Sequence, residues 1–112
     1  MIYKVQLTDE AKLDLRGIYE YIAFTLLEPG TAKNIKERII AGLKSLSHMP
    51  EKFALYQDEP WKSRGLRRVN IGNYSGFYLV AGKYVQVIRI LYSGRDISTV
   101  LQDVDWDSIK PE

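Results

Sequence analysis

Two apolar stripes with the period of an α-helix occupy the first half of the chain, and three runs of β-forming residues follow them. The first stripe steps by three or four residues from Ala11 to Leu26, and the second does so from Ala32 to Leu46. Such spacing indicates two amphipathic helices, each with one buried face. Because the helices precede these strands instead of alternating with them, the order predicts an α+β fold.

Capping and turn-forming residues mark the expected ends of both helices. Thr8 suits the N-cap of the first helix, and Pro29 and Gly30 are expected to end it. Thr31 is expected to cap the second helix, which Pro50 would end. The short connection between them predicts an antiparallel helical hairpin.

The β-forming runs predict four strands and a short final helix. Alternating apolar and polar residues predict an N-terminal strand over residues 2–7, and later runs cover residues 66–71, 74–80 and 84–92. The last run is the longest and most apolar, so we expect it near the middle of the sheet. The predicted order is β-α-α-β-β-β, with the hairpin packed on a mainly antiparallel four-stranded sheet and a short helix over residues 97–101.

Length and composition suit one small globular domain of 112 residues. We expect the domain over residues 1–102 and an acidic C-terminal tail over residues 103–112. The chain has no cysteine, and its one histidine, His48, lies where the second helix should end, so we expect neither a metal site nor a cofactor. Without a signal-like or membrane-length apolar run, a cytoplasmic protein with no membrane partner is expected.

Positive charge is concentrated in one third of the chain. Residues 61–95 hold seven of the sixteen basic residues and no Asp or Glu, whereas the other 77 residues hold nine basic and fourteen acidic ones. Such segregation suits an anionic partner, either nucleic acid or an acidic protein surface. A solvated sheet face that only keeps the protein soluble explains it equally well. The seven residues are Lys62, Arg64, Arg67, Arg68, Lys83, Arg89 and Arg95.

Arginine, lysine and tyrosine are the side chains left to carry a function. Arg67 and Arg68 are neighbours on one predicted strand and should point to opposite faces, with Arg68 the better surface candidate and Arg67 near an edge or paired with a helix carboxylate. Ser75 lacks a nearby base, so a serine nucleophile is not expected. The helix carboxylates are expected to form a solvated face rather than an acid–base pair; they are Asp9, Glu10, Asp14 and Glu20.

Six segments, in this order and spacing, resemble toxins of the RelE/ParE superfamily and are closer to the ParE-like plasmid-stabilisation toxins. The resemblance runs from residue 2 to about residue 101. The segments are Tyr3-Lys4-Val5, the helix from Asp9 to Ile22, Leu46-Ser47-His48-Met49-Pro50, Gly65-Leu66-Arg67-Arg68, the Gly72-Asn73-Tyr74 turn leading to Phe77-Tyr78, and Ile88-Arg89-Ile90-Leu91-Tyr92-Ser93-Gly94-Arg95-Asp96.

This resemblance implies the toxin of a type II toxin–antitoxin pair, silenced by a cognate antitoxin. ParE-like members poison DNA gyrase, whereas RelE-like members cleave messenger RNA in the ribosomal A-site without metal, and fold alone does not choose between them. Operator DNA would be contacted only through the antitoxin complex. A non-toxic relic that only pairs with its antitoxin is a third hypothesis.

Departures from the ribonuclease pattern favour the gyrase hypothesis. RelE-like enzymes commonly have an arginine where Ser75 stands and often an aromatic base where Leu101 stands. If the chain is RelE-like, Arg68, Arg95 and Tyr92 are the catalytic candidates, with Tyr92 as a substitute base if its side chain reaches the same cleft. For either target, the predicted binding residues are Lys62, Arg64, Arg67, Arg68 and Arg95.

Overall fold

Both apolar stripes fold into helices over one face of a four-stranded sheet. The structure is a computed structural model that describes residues 2–106 and 109. The chain forms, in order, β1 (Lys4–Leu7), α1 (Asp9–Glu20), a π-helical turn (Tyr21–Thr25), α2 (Pro29–Lys44), two 3-10 turns (Ser45–Ser47 and Pro50–Lys52), β2 (Arg67–Ile71), β3 (Tyr74–Ala81), β4 (Tyr84–Tyr92) and α3 (Ile97–Gln102).

The strands lie in the order β1-β4-β3-β2, so the longest strand is interior, as its apolar sequence predicts. β2, β3 and β4 pair antiparallel, and β1 pairs parallel with β4. The α+β architecture predicted from the sequence is therefore confirmed. A register shift between Phe77 and Tyr78 of β3 leaves Ile88 of β4 without a partner residue, which is a β-bulge.

The main core fills the space between the helices and the sheet. Leu15 of α1, with Ile39 and Leu43 of α2, packs against buried residues of the sheet that include Tyr78 and Val87. These helix positions belong to the two stripes, so the helical period predicted the face that is buried. Close packing is evident at Gly42, where a Cβ atom would lie 2.6 Å from Cδ1 of Ile71.

A second core covers the opposite face of the sheet and was not predicted. Phe77 and Leu91 point to this side, where Trp61 and Leu101 pack over them. The covering elements are the irregular segment before β2 and the short helix α3, whereas both long helices lie on the first face. Val104 is buried in this cluster as well, 7% exposed.

The connection between the two helices differs from the sequence prediction. Pro29 and Gly30 were expected to end the first helix, and Thr31 to cap the second. Instead, α1 is followed by the π-helical turn, and Pro29 begins α2. Proline is well accommodated at the first position of a helix because its missing N–H would have no helical partner there. The predicted cap at Thr8 is confirmed, since its hydroxyl oxygen accepts a hydrogen bond from the N–H of Ala11.

No helix among the described residues is long and apolar enough to cross a bilayer. His48 directly follows the 3-10 turn that continues α2, and its N–H donates to the carbonyl of Ser45 at 3.2 Å. The position predicted for this histidine, at the end of the second helix, agrees with that placement.

Candidate functional site

An open apolar groove of about 670 Å³ lies between α1 and the end of the sheet formed by β3 and β4. We call it the tyrosine groove, because Tyr21, Tyr74 and Tyr92 all line it. Arg95 lies on its wall with Glu28. Most of the other lining side chains are aliphatic and come from the helical hairpin; they include Leu13, Ile18 and Leu26.

The three tyrosines form an aromatic wall of this groove. The rings of Tyr74 and Tyr92 meet edge to face, with centroids 5.9 Å apart. Burial raises the pKa of Tyr74, and the neighbouring Tyr92 and Tyr21 raise it further. The phenol of Tyr74 therefore stays protonated at neutral pH and can donate or accept a hydrogen bond.

Exposed apolar side chains concentrate around this groove. Of the nine large hydrophobic residues that are exposed in the described part of the chain, six lie on the groove or at the adjoining tip of the helical hairpin. Contiguous apolar surface of this kind marks an interaction site on a soluble protein. The six residues are Leu13, Tyr21, Phe24, Leu26, Leu27 and Tyr92.

A polar network lies on the other face of the same end of the sheet. Arg68 Nε donates to Asn70 Oδ1 and to Ser75 Oγ, both at 3.1 Å. The Ser75 hydroxyl lies 2.8 Å from Asn70 Oδ1 and 2.9 Å from Ser93 Oγ. We call these four residues the Arg68 notch. Ser75 is completely buried, so its hydroxyl serves this network and not solvent.

Two of the seven basic residues, Arg67 and Arg89, form hydrogen bonds and ion pairs within the chain. Arg67 donates to the carbonyls of Glu51 at 3.1 Å and Phe53 at 2.6 Å, and its Nη2 lies 4.0 Å from the Glu51 carboxylate. Arg89 is held by Asp14 of α1, with N–O distances of 2.7 and 2.8 Å. Hydrogen bonding to Asp14 raises the pKa of Arg89, although burial opposes this shift.

The expectation that the carboxylates of the first helix form a solvated face is wrong for Asp14. Its side chain is only 13% exposed, and it also accepts a hydrogen bond from the N–H of Ile90 at 2.9 Å. Helical spacing alone could not show this, because the partners are about 75 residues further along the chain.

The remaining predicted binding residues lie in the segment before β2 and in the chain that follows β4. Lys62, Arg64 and Arg95 are exposed, and Arg64 lies over the ring of Trp106, 5.1 Å from its centroid. Lys83 lies in the β3–β4 turn, at the opposite end of those strands from the Arg68 notch.

The candidate catalytic set is also divided by the sheet. Tyr92 and Arg95 line the tyrosine groove, on the face covered by the helices. The guanidinium of Arg68 instead lies 5.5 Å from the ring centroid of Phe77, which belongs to the second core. Tyr92 is therefore not positioned to act as a base beside Arg68. Within the described residues, no group of three or more acidic or histidine side chains could hold a metal ion.

The Arg68 notch was not predicted from the sequence as a unit. Strand alternation places Arg68 and Asn70 on the same face, but Ser75 was considered as a nucleophile and as a departure from the ribonuclease pattern, and Ser93 was given no role of its own. Once Asn70 is paired with Ser75 across the β2–β3 hairpin, the alternating pattern places all four side chains together.

Comparison with known proteins agrees with this architecture. The ParE toxin family of type II toxin–antitoxin systems (parDE) matches residues 5–97. The chain belongs to this family. No functionally curated protein matches its sequence.

Solved structures of other toxins resemble this ParE-family toxin. A chain of the chromosomal ParDE system from P. aeruginosa is 26% identical, with a TM-score of 0.68 over 81% of this toxin and 96% of that chain. A chain of the RelBE2 toxin–antitoxin complex from Mycobacterium tuberculosis is 20% identical, with a TM-score of 0.61 over 82% and 99%. The archaeal RelE–RelB complex from Pyrococcus horikoshii OT3 gives 19% identity and a TM-score of 0.56 over 85% and 99%. The two RelE-type similarities show a shared fold.

Proposed function

We propose that this toxin inhibits DNA gyrase and is held inactive by a cognate antitoxin segment that occupies the tyrosine groove. The observation that carries the proposal is an exposed apolar groove with a cation on its wall, on a chain of the ParE family. Similar toxins have been solved in complex with antitoxins, which supports such a partner here.

The chemistry of the groove indicates what the antitoxin segment is like. Its aliphatic and tyrosine side chains fit the apolar face of an amphipathic helix. Arg95 has no carboxylate partner among the described residues and lies at this groove, so an acidic side chain of the helix would pair with it. Tyrosine rings contribute large contact areas with little loss of side-chain entropy, which suits them to an interface.

Gyrase is favoured over messenger RNA as the target because no general base lies beside Arg68 among the described residues. Metal-free RNA cleavage needs a group that takes the 2′-hydroxyl proton beside a cation that holds the phosphate charge. The side-chain hydrogen bonds of Arg68 go to Asn70 and Ser75, neither of which is a general base at neutral pH. Tyr92 lines the groove on the other face.

A supercoiling assay with purified toxin and gyrase tests the target. We expect loss of supercoiling activity and accumulation of cleaved DNA. Normal supercoiling by gyrase at a molar excess of toxin would refute the gyrase proposal. Primer extension on translated message after induction distinguishes the alternative, since A-site cuts that disappear in Arg95→Ala would indicate a ribosome-dependent ribonuclease. Induction without growth arrest would indicate a non-toxic relic.

Neutralisation is tested with the protein encoded by the reading frame next to the toxin gene. Leu13→Asp places a charge in the tyrosine groove and should weaken binding of that protein by more than tenfold. Met49→Asp is the matched control, because Met49 is 73% exposed and does not line the groove. Equal binding by both variants would place the antitoxin elsewhere.

A further inference from the structure

The Arg68 notch holds a guanidinium in a fixed orientation. Its Nε has two acceptors, and its Cζ lies 5.5 Å from the ring centroid of Phe77. Within residues 2–106 no carboxylate pairs with Arg68, in contrast to Arg67 and Arg89. The Nη1 and Nη2 edge, which carries four N–H groups, is thus left for an external acceptor.

The buried Ser75 indicates that the orientation of the Arg68 guanidinium is not explained by packing alone. Ser75 is completely buried, and its neighbours along β3 are Tyr74 and Gly76. Burying a hydroxyl is unfavourable unless it is fully hydrogen-bonded, and an alanine would fill the position without that cost. Here the hydroxyl forms hydrogen bonds with Arg68, Asn70 and Ser93, and it therefore holds the Arg68 guanidinium in position on this face of the sheet.

The notch and the tyrosine groove are two sides of the same end of the sheet. Tyr74 and Ser75 are consecutive on β3, and Tyr92 and Ser93 are consecutive at the end of β4. Because successive side chains of a strand point to opposite faces, each pair sends its tyrosine to the groove and its serine to the notch. A peptide segment leaving the groove around this end would reach Arg68.

We propose that the Arg68 notch binds a carboxylate side chain of the antitoxin, in the part of that chain that continues beyond the tyrosine groove; this rests on the proposed function. The Nη fork can donate two parallel hydrogen bonds to a carboxylate, and the amide N–H of Asn70 adds a further donor. Nucleic acid fits less well. Phe77 is completely buried and offers no ring for a base, and a single fixed cation is not the track of charges that a phosphate backbone requires.

The test is an NMR titration of the toxin with N-acetyl-glutamate amide, which presents one side-chain carboxylate, at constant ionic strength. We expect saturable shifts of the Arg68 Nε–H and Asn70 side-chain amide resonances. Arg68→Gln should abolish the Asn70 shift, and Ser75→Ala should weaken the affinity roughly threefold to tenfold while the fold is retained. Arg38→Gln, an exposed arginine on α2, should leave the titration unchanged.

Parallel titrations with inorganic phosphate and with duplex DNA identify other ligands. Shifts at Arg68 and Asn70 that appear with phosphate or DNA but not with the glutamate derivative would overturn the proposal, as would non-saturable shifts shared by all exposed arginines. A toxin that inhibits gyrase and binds its antitoxin without these shifts would lose only this inference. If the shifts appear but gyrase is unaffected, only the target proposal fails.

Discussion

Asp14 on α1 grips the guanidinium of Arg89 on β4 at both Nε and Nη2, with N–O distances of 2.7 and 2.8 Å. The same carboxylate accepts the backbone N–H of Ile90. β1 ends at Leu7 and pairs with β4 only as far as Val87, so α1 lies beside the part of β4 where a strand partner is missing. This ion pair therefore joins the first helix to the central strand.

Asp14→Asn should destabilise the toxin by about 2–4 kcal/mol, because it leaves a largely buried guanidinium with only the weaker contact to Glu10 at 3.4 Å. Urea denaturation monitored by circular dichroism measures this loss. Glu20→Gln is the control, since the Arg16–Glu20 pair is exposed and should contribute less than about 0.5 kcal/mol. Equal losses in the two variants would mean that the Asp14–Arg89 contact does not stabilise the fold.

Tyr78→Phe should lower stability by about 1–3 kcal/mol. The Tyr78 hydroxyl donates to the carbonyl of Pro50 at 2.6 Å in the core, and its removal leaves that carbonyl without this donor. Thermal unfolding at neutral pH measures the effect. A variant as stable as the wild type would show that the carbonyl finds another donor.

Alkaline pH should weaken the wild type through the same residue. Burial raises the pKa of Tyr78 to about 12, although Arg67 lowers it, whereas the unfolded chain ionises near 10.0. The unfolded state therefore loses its proton first, so this contribution is complete below pH 10 and declines as pH rises towards 12. Between pH 9 and 12, the free energy of unfolding should fall more steeply with pH for the wild type than for Tyr78→Phe. Parallel curves would contradict the assignment.

Gly42→Ala should destabilise the toxin by about 1–3 kcal/mol, because the added methyl group would contact three side-chain carbons of Ile71 at 2.6–3.2 Å. Gly17→Ala is a matched substitution in the interior of the other helix, with nothing within 4 Å, and should stabilise by roughly 0.5–1 kcal/mol. Calorimetric melting temperatures should move in opposite directions. Similar shifts would indicate that α2 moves away from β2 without cost.

Leu101→Ala should cost about 2–5 kcal/mol, since this side chain is fully buried in the second core. Leu27→Ala is the control, because its side chain is 78% exposed and the backbone keeps its left-handed conformation at φ 57°. We expect a change below about 0.5 kcal/mol there. If urea denaturation gave equal losses for both, α3 would not be packed on the sheet in solution.

Local patterns were sufficient to predict the architecture. The helical stripes identified the buried face of both helices, and the long apolar run identified the interior strand. Pro29 shows the limit of such signals, because a proline can either end one helix or begin the next. Only the conformation of the backbone before Pro29 distinguishes these two roles. The π-helical turn has no comparable mark in the sequence.

The features that were not predicted depend on contacts between residues far apart in the sequence. Positive charge in residues 61–95 was interpreted either as a surface for an anionic partner or as a solvated sheet face. Arg89 instead pairs with a carboxylate some 75 residues earlier, and Arg67 donates to carbonyls 14 and 16 residues earlier. The second core was missed because Trp61 lies in a segment without helical or strand periodicity. Its ring packs edge to face on Tyr56, which in turn meets the ring of Phe77 on the same face of the sheet.

The contact of α1 with β4 also bears on how the toxin behaves when no antitoxin is bound. Thr8 donates its hydroxyl to the carbonyl of Ile88, and Asp14 accepts the N–H of Ile90, so backbone groups beyond the end of β1 are satisfied within the chain. An apolar strand with a bare edge would recruit strands from other molecules and aggregate. Here α1 covers that edge, so this part of β4 is closed to a strand of another molecule even while the apolar groove is empty.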